Sequence, residues 1–216
     1  MIKTLRCNRP SFRDVTFTPG VNVILADRTK EETIKNSRNG LGKSTFIELL
    51  HFCLGSELKA PLKSPALRDW IFTLDLTLAG KDVSASRDTG SPGKIVVDGD
   101  VNAWPIQPRL NKTTGNKELT CEEWTELLGH LMFGIAIGAT GKYRPQFRSL
   151  ISYFIRIEKD AYIQPFEFFR KQPEVFKQVL NTFLLGLDSQ DAIDFQRMKD
   201  RAQTLKQLKK LVSFRQ

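Results

Sequence analysis

Hydrophobic and polar positions change period several times along the chain, and each change marks an element. Ile2 to Cys7 reads as a strand and Val15-Thr16-Phe17 as a short second one. Val21-Asn22-Val23-Ile24-Leu25 reads as a buried third strand behind the Pro19-Gly20 turn. Asp27 to Asn36 is polar and has no apolar period. Phe46 to Leu54 returns to helical spacing and stops at Gly55. From Trp70 the period becomes two. Phe72, Leu74, Leu76 and Leu78 alternate with polar residues, Gly80-Lys81 turns, and Val83, Ala85 and Arg87 come back. Lys94-Ile95-Val96-Val97 and Val101 flank Asp98-Gly99, a hairpin signal. These segments predict an antiparallel meander.

Asn102 to Leu119, with Pro105, Pro108 and Gly115, reads as a loop. Thr120-Cys121-Glu122-Glu123 has capping-box spacing and opens a helix through Trp124, Leu127, Leu128 and Leu131. Glycines at 134, 138 and 141 break it. Phe147 to Ile157 is apolar and fits strand or helix. Phe176 to Leu187 reads as a short amphipathic helix. From Asp188 there is no Gly or Pro, and Met198, Ala202, Leu205 and Val212 approximate a 3.5 repeat, blurred by Leu208 and Leu211. That segment reads as the start of a coiled coil or as an ordinary surface helix.

Composition narrows the class. With 216 residues, 40% hydrophobic, 26% charged and 15 Phe, the chain has the makings of a core with an appendage and is not mostly disordered. It contains no apolar run long enough for a membrane span, and Met1 to Arg6 carries no signal-peptide pattern. Cys7, Cys53 and Cys121 are too scattered for a zinc site or a disulfide framework, so a cytoplasmic location is expected, with no membrane partner. Charge is uneven. Residues 1–137 hold 18 Lys and Arg against 16 Asp and Glu, whereas residues 138–216 hold 15 against 8. A basic C-terminal third points to a polyanion such as DNA, contacted through phosphates, or to a solvated helix face.

The strongest chemical signal is Asn39-Gly40-Leu41-Gly42-Lys43-Ser44-Thr45. A phosphate-binding loop needs glycines that let backbone N–H groups converge, followed by a helix whose positive end faces the phosphates. Gly40 and Gly42 permit the close approach, and Asn39 to Thr45 supply amides. Lys43 reaches the terminal phosphates and Ser44 ligates Mg²⁺. The strict pattern has Gly where this chain has Ser37, and about ten residues separate the preceding strand from the loop. A GTPase base-reading motif is absent, because Asn116-Lys117-Glu118-Leu119 and Asn111-Lys112-Thr113-Thr114 both lack its Asp. Leu74-Asp75, Val97-Asp98 and Leu187-Asp188 lack the Glu that follows a Mg²⁺-binding Asp in many ATPases.

The N-terminal strand, Phe17-Thr18-Pro19-Gly20-Val21-Asn22-Val23-Ile24, the glycine-lysine loop and Phe52-Cys53-Leu54-Gly55 together resemble the N-terminal half-head of an SMC/RecN-like ABC ATPase. With Phe147 to Arg156, the chain looks closest to bacterial coiled-coil ATPases ending in a domain of unknown function, some thought to act in phage defence. The resemblance implies an α/β P-loop NTPase fold of ABC/SMC half-head type, with an antiparallel side sheet and the start of a coiled coil. Its domains would be 1–187, the N-terminal lobe, and 188–216, the coil. It also implies ATP and Mg²⁺ as cofactors and a Gln touching Mg²⁺ and the attacking water, for which Gln164 is the best match.

In such proteins the signature, the catalytic Asp-Glu pair and a switch His arrive after the coil, and two heads sandwich two ATPs. The expected partners are therefore a C-terminal half-head or a second copy, in a head-to-head dimer, and DNA or a partner protein. Little turnover is expected from this chain alone. A non-hydrolysing ATP sensor and, further off, a P-loop kinase remain alternatives. His51, His130, Trp70, Trp104 and Trp124 read as packed residues. Arg6, Arg9 and Arg13 surround the first strand, where related heads sometimes contact phosphate or base.

Overall fold

In the computed structural model, residues 1–24, 43–157 and 159–213 are described. The strands are β1 (Ile2–Cys7), β2 (Val15–Thr16), β3 (Ile71–Leu78), β4 (Lys81–Asp88), β5 (Lys94–Gly99), β6 (Arg109–Leu110) and β7 (Lys117–Thr120). The α-helices are α1 (Lys43–Cys53), α2 (Cys121–Phe133), α3 (Phe147–Ile151), α4 (Glu174–Leu184) and α5 (Gln190–Ser213). The chain divides into two compact units, Met1–Ile137 and Gly138–Gln216. The boundary expected after residue 187 falls between α4 and α5, inside the second unit.

The first unit is built on one seven-stranded sheet in the order β2-β1-β3-β4-β5-β7-β6, with every pairing antiparallel. Period-two alternation gives the sheet two unlike faces. Phe72, Leu74, Leu76, Leu78, Val83, Ala85, Ile95, Val97 and Leu119 are buried, and α1 and α2 pack against the strands that carry them. Between these residues lie polar side chains that bond across the strands. The Arg6 guanidinium forks onto both oxygens of Asp75 at 2.7 and 2.8 Å, and Ser84 Oγ donates to Asp75 Oδ1 at 2.6 Å. These bonds hold the Asp75 carboxyl below its ordinary pKa, the Arg6 bond contributing most.

This arrangement corrects the expected α/β P-loop NTPase fold of ABC/SMC half-head type, which requires a parallel sheet. A parallel sheet needs strand–helix–strand crossovers. The strand expected at Val21–Leu25, ahead of α1, does not form over residues 21–24, and Val21 and Val23 are 93% and 73% exposed. Leu25 lies outside the described residues. After α1 the chain enters β3, which pairs antiparallel with β1 and, through the tight Ala79-Gly80 turn, with β4.

Two shorter expectations are corrected as well. Asp98-Gly99 is not a hairpin turn but the end of β5, paired with Ser84 and Val83 of β4. A Cβ on Gly99 would lie 2.7 Å from the Asp82 carbonyl, at a φ of +125°, so the glycine serves a close approach of two strands. The loop expected over Asn102–Leu119 contains β6 and most of β7. They are joined by a turn in which Asn111 Oδ1 accepts from the backbone N–H of Thr113 and Thr114.

In the second unit, Phe147–Ile157 resolves into the short helix α3, and the amphipathic helix expected at 176–187 is α4. Tyr143, Val179 and Ile193 form a small core there, with Val175, Phe176 and Ala192 packed on it. The long helix α5 leaves this core early, and residues 201–211 are all exposed. At the exit, Asp200 accepts from Lys142 Nζ at 2.8 Å, Tyr143 Oη at 2.5 Å and Gln196 Nε2 at 2.9 Å. The Lys142 bond leads these effects, which lower the Asp200 carboxyl pKa to about 2. Among the described residues no helix is long and apolar enough to cross a membrane.

Candidate functional site

Helix α1 begins at Lys43, directly after the Gly40-Leu41-Gly42 run. Residues 39–42 of the candidate loop lie outside the described residues. Burial rises steeply along the helix. Ser44 is exposed, Thr45 to Glu48 are half-buried, and Leu49, Leu50, Phe52 and Cys53 are buried. Ser44 is thus open to solvent, while the C-terminal end is seated on the sheet. Its first turn carries no acidic residue. The first amides of an α-helix have no partner within the helix, and together with the dipole they make such an end attractive to an anion.

The C-terminal end is held by a residue that the sequence shows only as a polar interruption of an apolar face. Arg87, at an inward position of β4, is 3% exposed. Its guanidinium donates to the carbonyls of Phe52, Ser56 and Pro92 and stacks 4.2 Å from the Phe52 ring centroid. A cation on the Phe52 carbonyl stabilises the negative end of the helix dipole, and its bonds to Ser56 and Pro92 tie that end to β4. Burial pulls the Arg87 pKa down. Trp124 of α2 adds a bond from Nε1 to the Cys53 carbonyl at 3.0 Å. Burial also pushes the Cys53 thiol up to about 12. The period-two pattern places Arg87 among Val83 and Ala85 and was the available signal for a buried clamp.

At the other end, Phe46 of α1 packs on Phe17 with ring centroids 6.2 Å apart. The turn after Phe17 is fixed by Asn22, whose Oδ1 accepts from Thr18 N and whose Nδ2 donates to the carbonyls of Thr18 and Gly20.

The remaining sequence candidates are spent differently. Gln164 is exposed in a loop of the second unit, and its carbonyl accepts from Arg156 at 3.2 Å. Ser44 belongs to the first unit, so the two residues expected at Mg²⁺ stand in separate units. His51 is buried in α1, and His130 Nδ1 meets the Ile135 carbonyl at 3.0 Å. Asp75 is engaged by Arg6, and Asp98 sits on β5. Arg6 is committed to that ion pair. Among the described residues no group of three or more His, Cys, Asp or Glu is placed to hold a metal. Comparison with family models, curated proteins and solved structures finds no match.

Proposed function

We propose that this chain binds ATP with Mg²⁺ at the N-terminal end of α1 and does not by itself turn the nucleotide over. The observation that carries the reading is the run Gly40-Leu41-Gly42 directly preceding, in sequence, a helix whose first turn is free of acid and bears the exposed Ser44. Lys43 and Ser44 are the residues for the terminal phosphates and the Mg²⁺ ion, and Asn39 to Thr45 supply amides. Bound Mg²⁺ would neutralise phosphate charge. The chain's own part is to bind and orient: Arg87 anchors the far end of α1, so the amides at its near end keep one direction. Hydrolysis needs a base that orients water and groups that stabilise the developing charge, and the sequence has no Asp-Glu pair to begin that task. A completing half or a second copy would supply it, in the cytoplasm where ATP is available. Calorimetry with Mg-ATP tests the reading. Wild type binds and Lys43→Ala loses most of the affinity while melting at the same temperature. Equal affinity in the two proteins contradicts it.

A second reading is favoured by α5. Arg201, Lys206, Lys209 and Lys210 lie on its exposed part, and no acidic residue follows Asp200. This segment suits the phosphates of duplex DNA. Affinity for a random duplex then falls with a log–log salt slope of about −0.9 per phosphate neutralised, whatever the sequence. A salt-independent affinity, or none, refutes it.

A further inference from the structure

The loop between α3 and α4 is built from within. At its hub the Arg156 guanidinium donates to the carbonyls of Tyr153, Ala161, Gln164 and Pro165. Tyr162 Oη donates back to the Arg156 carbonyl at 2.8 Å. On the other side Tyr153 Oη donates to the Phe166 carbonyl at 3.3 Å and accepts from Gln172 Nε2 at 2.9 Å and Asn181 Nδ2 at 3.2 Å. These bonds tie the backbone at 161 and 164–166, yet four large side chains of the stretch point out. Tyr162 is 65% exposed, Ile163 70%, Phe166 61% and Phe169 37%. Rings on a rigid loop gain nothing for the fold when left in water, and their ordering cost is already met before any partner arrives.

The cations near these rings are Arg156, Arg170 and Lys171, with acids at Glu158, Asp160 and Glu167 in the same stretch of sequence. Arg156 is bonded to carbonyls and meets no carboxylate among the described residues. Arg170 and Lys171 follow Phe169 directly, are exposed and form no ion pair among the described residues. Of these acids, Glu167 is taken by Lys177 at 2.8 Å, and Lys177 also holds Glu174 at 2.9 Å. Exposed rings followed by two exposed cations complement a polymer that carries flat bases on a chain of phosphates. Because the three carbonyls at 161, 164 and 165 converge on one guanidinium, the side chains at 162 and 166 leave neighbouring points of the loop.

We propose that residues 162–171 form a platform for single-stranded nucleic acid, with bases stacking on Tyr162, Phe166 and Phe169 and phosphates resting on Arg170 and Lys171. The platform is independent of the nucleotide reading and distinct from the basic face of α5. A protein with apolar anchors, or an anionic bilayer, would use these side chains for their area rather than their rings, and that difference is measurable.

The test is fluorescence anisotropy of the full chain with labelled oligo(dT) and oligo(U) of about 15 nucleotides, long enough for one such groove. Binding to both probes is expected, with Phe166→Ala weakening it about five- to 150-fold. Phe166→Leu, which keeps apolar area but loses the ring, should fall almost as far. Arg170→Gln with Lys171→Gln changes only exposed side chains and should make the log–log salt slope shallower by about 0.7 for each phosphate no longer neutralised. Mg-ATP affinity stays at the wild-type value in every one of these variants, which separates this proposal from the site on α1. Three results would overturn the platform: no binding of either strand, Phe166→Leu binding as tightly as wild type, or an unchanged salt slope in the charge variant. Co-sedimentation with phosphatidylglycerol vesicles that Phe166→Ala abolishes, with strand binding unaltered, would assign the rings to a membrane surface instead.

Discussion

Arg87 occupies a position where strand alternation calls for an apolar side chain, and it satisfies three carbonyls at the end of α1 and in the β4–β5 turn. Its removal takes the guanidinium donor from the Ser56 and Pro92 carbonyls and leaves Phe52 with the Gly55 N–H alone. Arg87→Met, close in volume, is therefore expected to lower stability by about 3 kcal/mol or more in urea denaturation. A loss under about 1 kcal/mol, the scale of an ordinary hydrogen bond, would show that the clamp does not hold α1. Ser44 offers the complementary case at the exposed end. Ser44→Ala should leave the urea midpoint unchanged and remove the Mg²⁺ dependence of ATP binding, measured by calorimetry with and without the ion. Retained Mg²⁺ dependence would place the ion on other residues.

At the scale of elements, α2 is the clearest case of local chemistry deciding structure. Thr120 Oγ1 accepts from Glu123 N at 3.1 Å, Glu123 Oε2 accepts from Thr120 N at 2.8 Å, and Gly134 closes the helix in the left-handed region. Thr120→Ala should cost about 1 kcal/mol, read as a lowered urea midpoint with unchanged slope. No change would mean that packing of Trp124 alone sets the helix start. At α5 the anchor is Asp200. Its carboxyl has a folded pKa of about 2 against an ordinary value near ~3.9. A depressed acid stabilises the folded state above its unfolded pKa and loses that contribution as pH falls through the folded value. Between about pH 4 and 2 the wild type should lose stability more steeply than Asp200→Asn, read from acid titrations of the melting temperature. Parallel curves would mean that the Lys142–Tyr143–Gln196 cluster does not secure the helix.

These same elements show which parts of the fold were legible. Strand β1, the β3–β4 hairpin and the cap of α2 are written in contacts between residues close in sequence or in strict alternation. The misread segments depend on partners far away. Val21-Asn22-Val23-Ile24 has the composition of a buried strand, but composition does not supply a neighbouring strand. Asp98-Gly99 has the composition of a turn, but pairing with β4 overrides it. The β6–β7 hairpin did carry a signal in Asn111 and Gly115, masked by the prolines before it. Of the candidate site, Lys43, Ser44 and the helix they open were visible in the motif. Arg87 showed only as a polar interruption of the strand alternation, and the Arg156 hub not at all, because the carbonyls on which each acts are reported by no side-chain pattern.

For the whole molecule, an antiparallel sheet packed by two helices carries the segment proposed to receive phosphates, and a basic helical unit follows it in the chain. Purified protein should hydrolyse ATP no faster than Lys43→Ala. Turnover that the substitution abolishes would reveal a base within these residues. The central claim, that ATP phosphates are received at the start of α1, is tested most directly by titrating the isotopically labelled chain with a non-hydrolysable Mg-ATP analogue and following the backbone amide resonances. The largest shifts are expected at Gly40, Gly42, Lys43, Ser44 and Thr45, and they should vanish in Lys43→Ala. Unmoved resonances at these five residues at saturating nucleotide, with shifts concentrated elsewhere or nowhere, would contradict it.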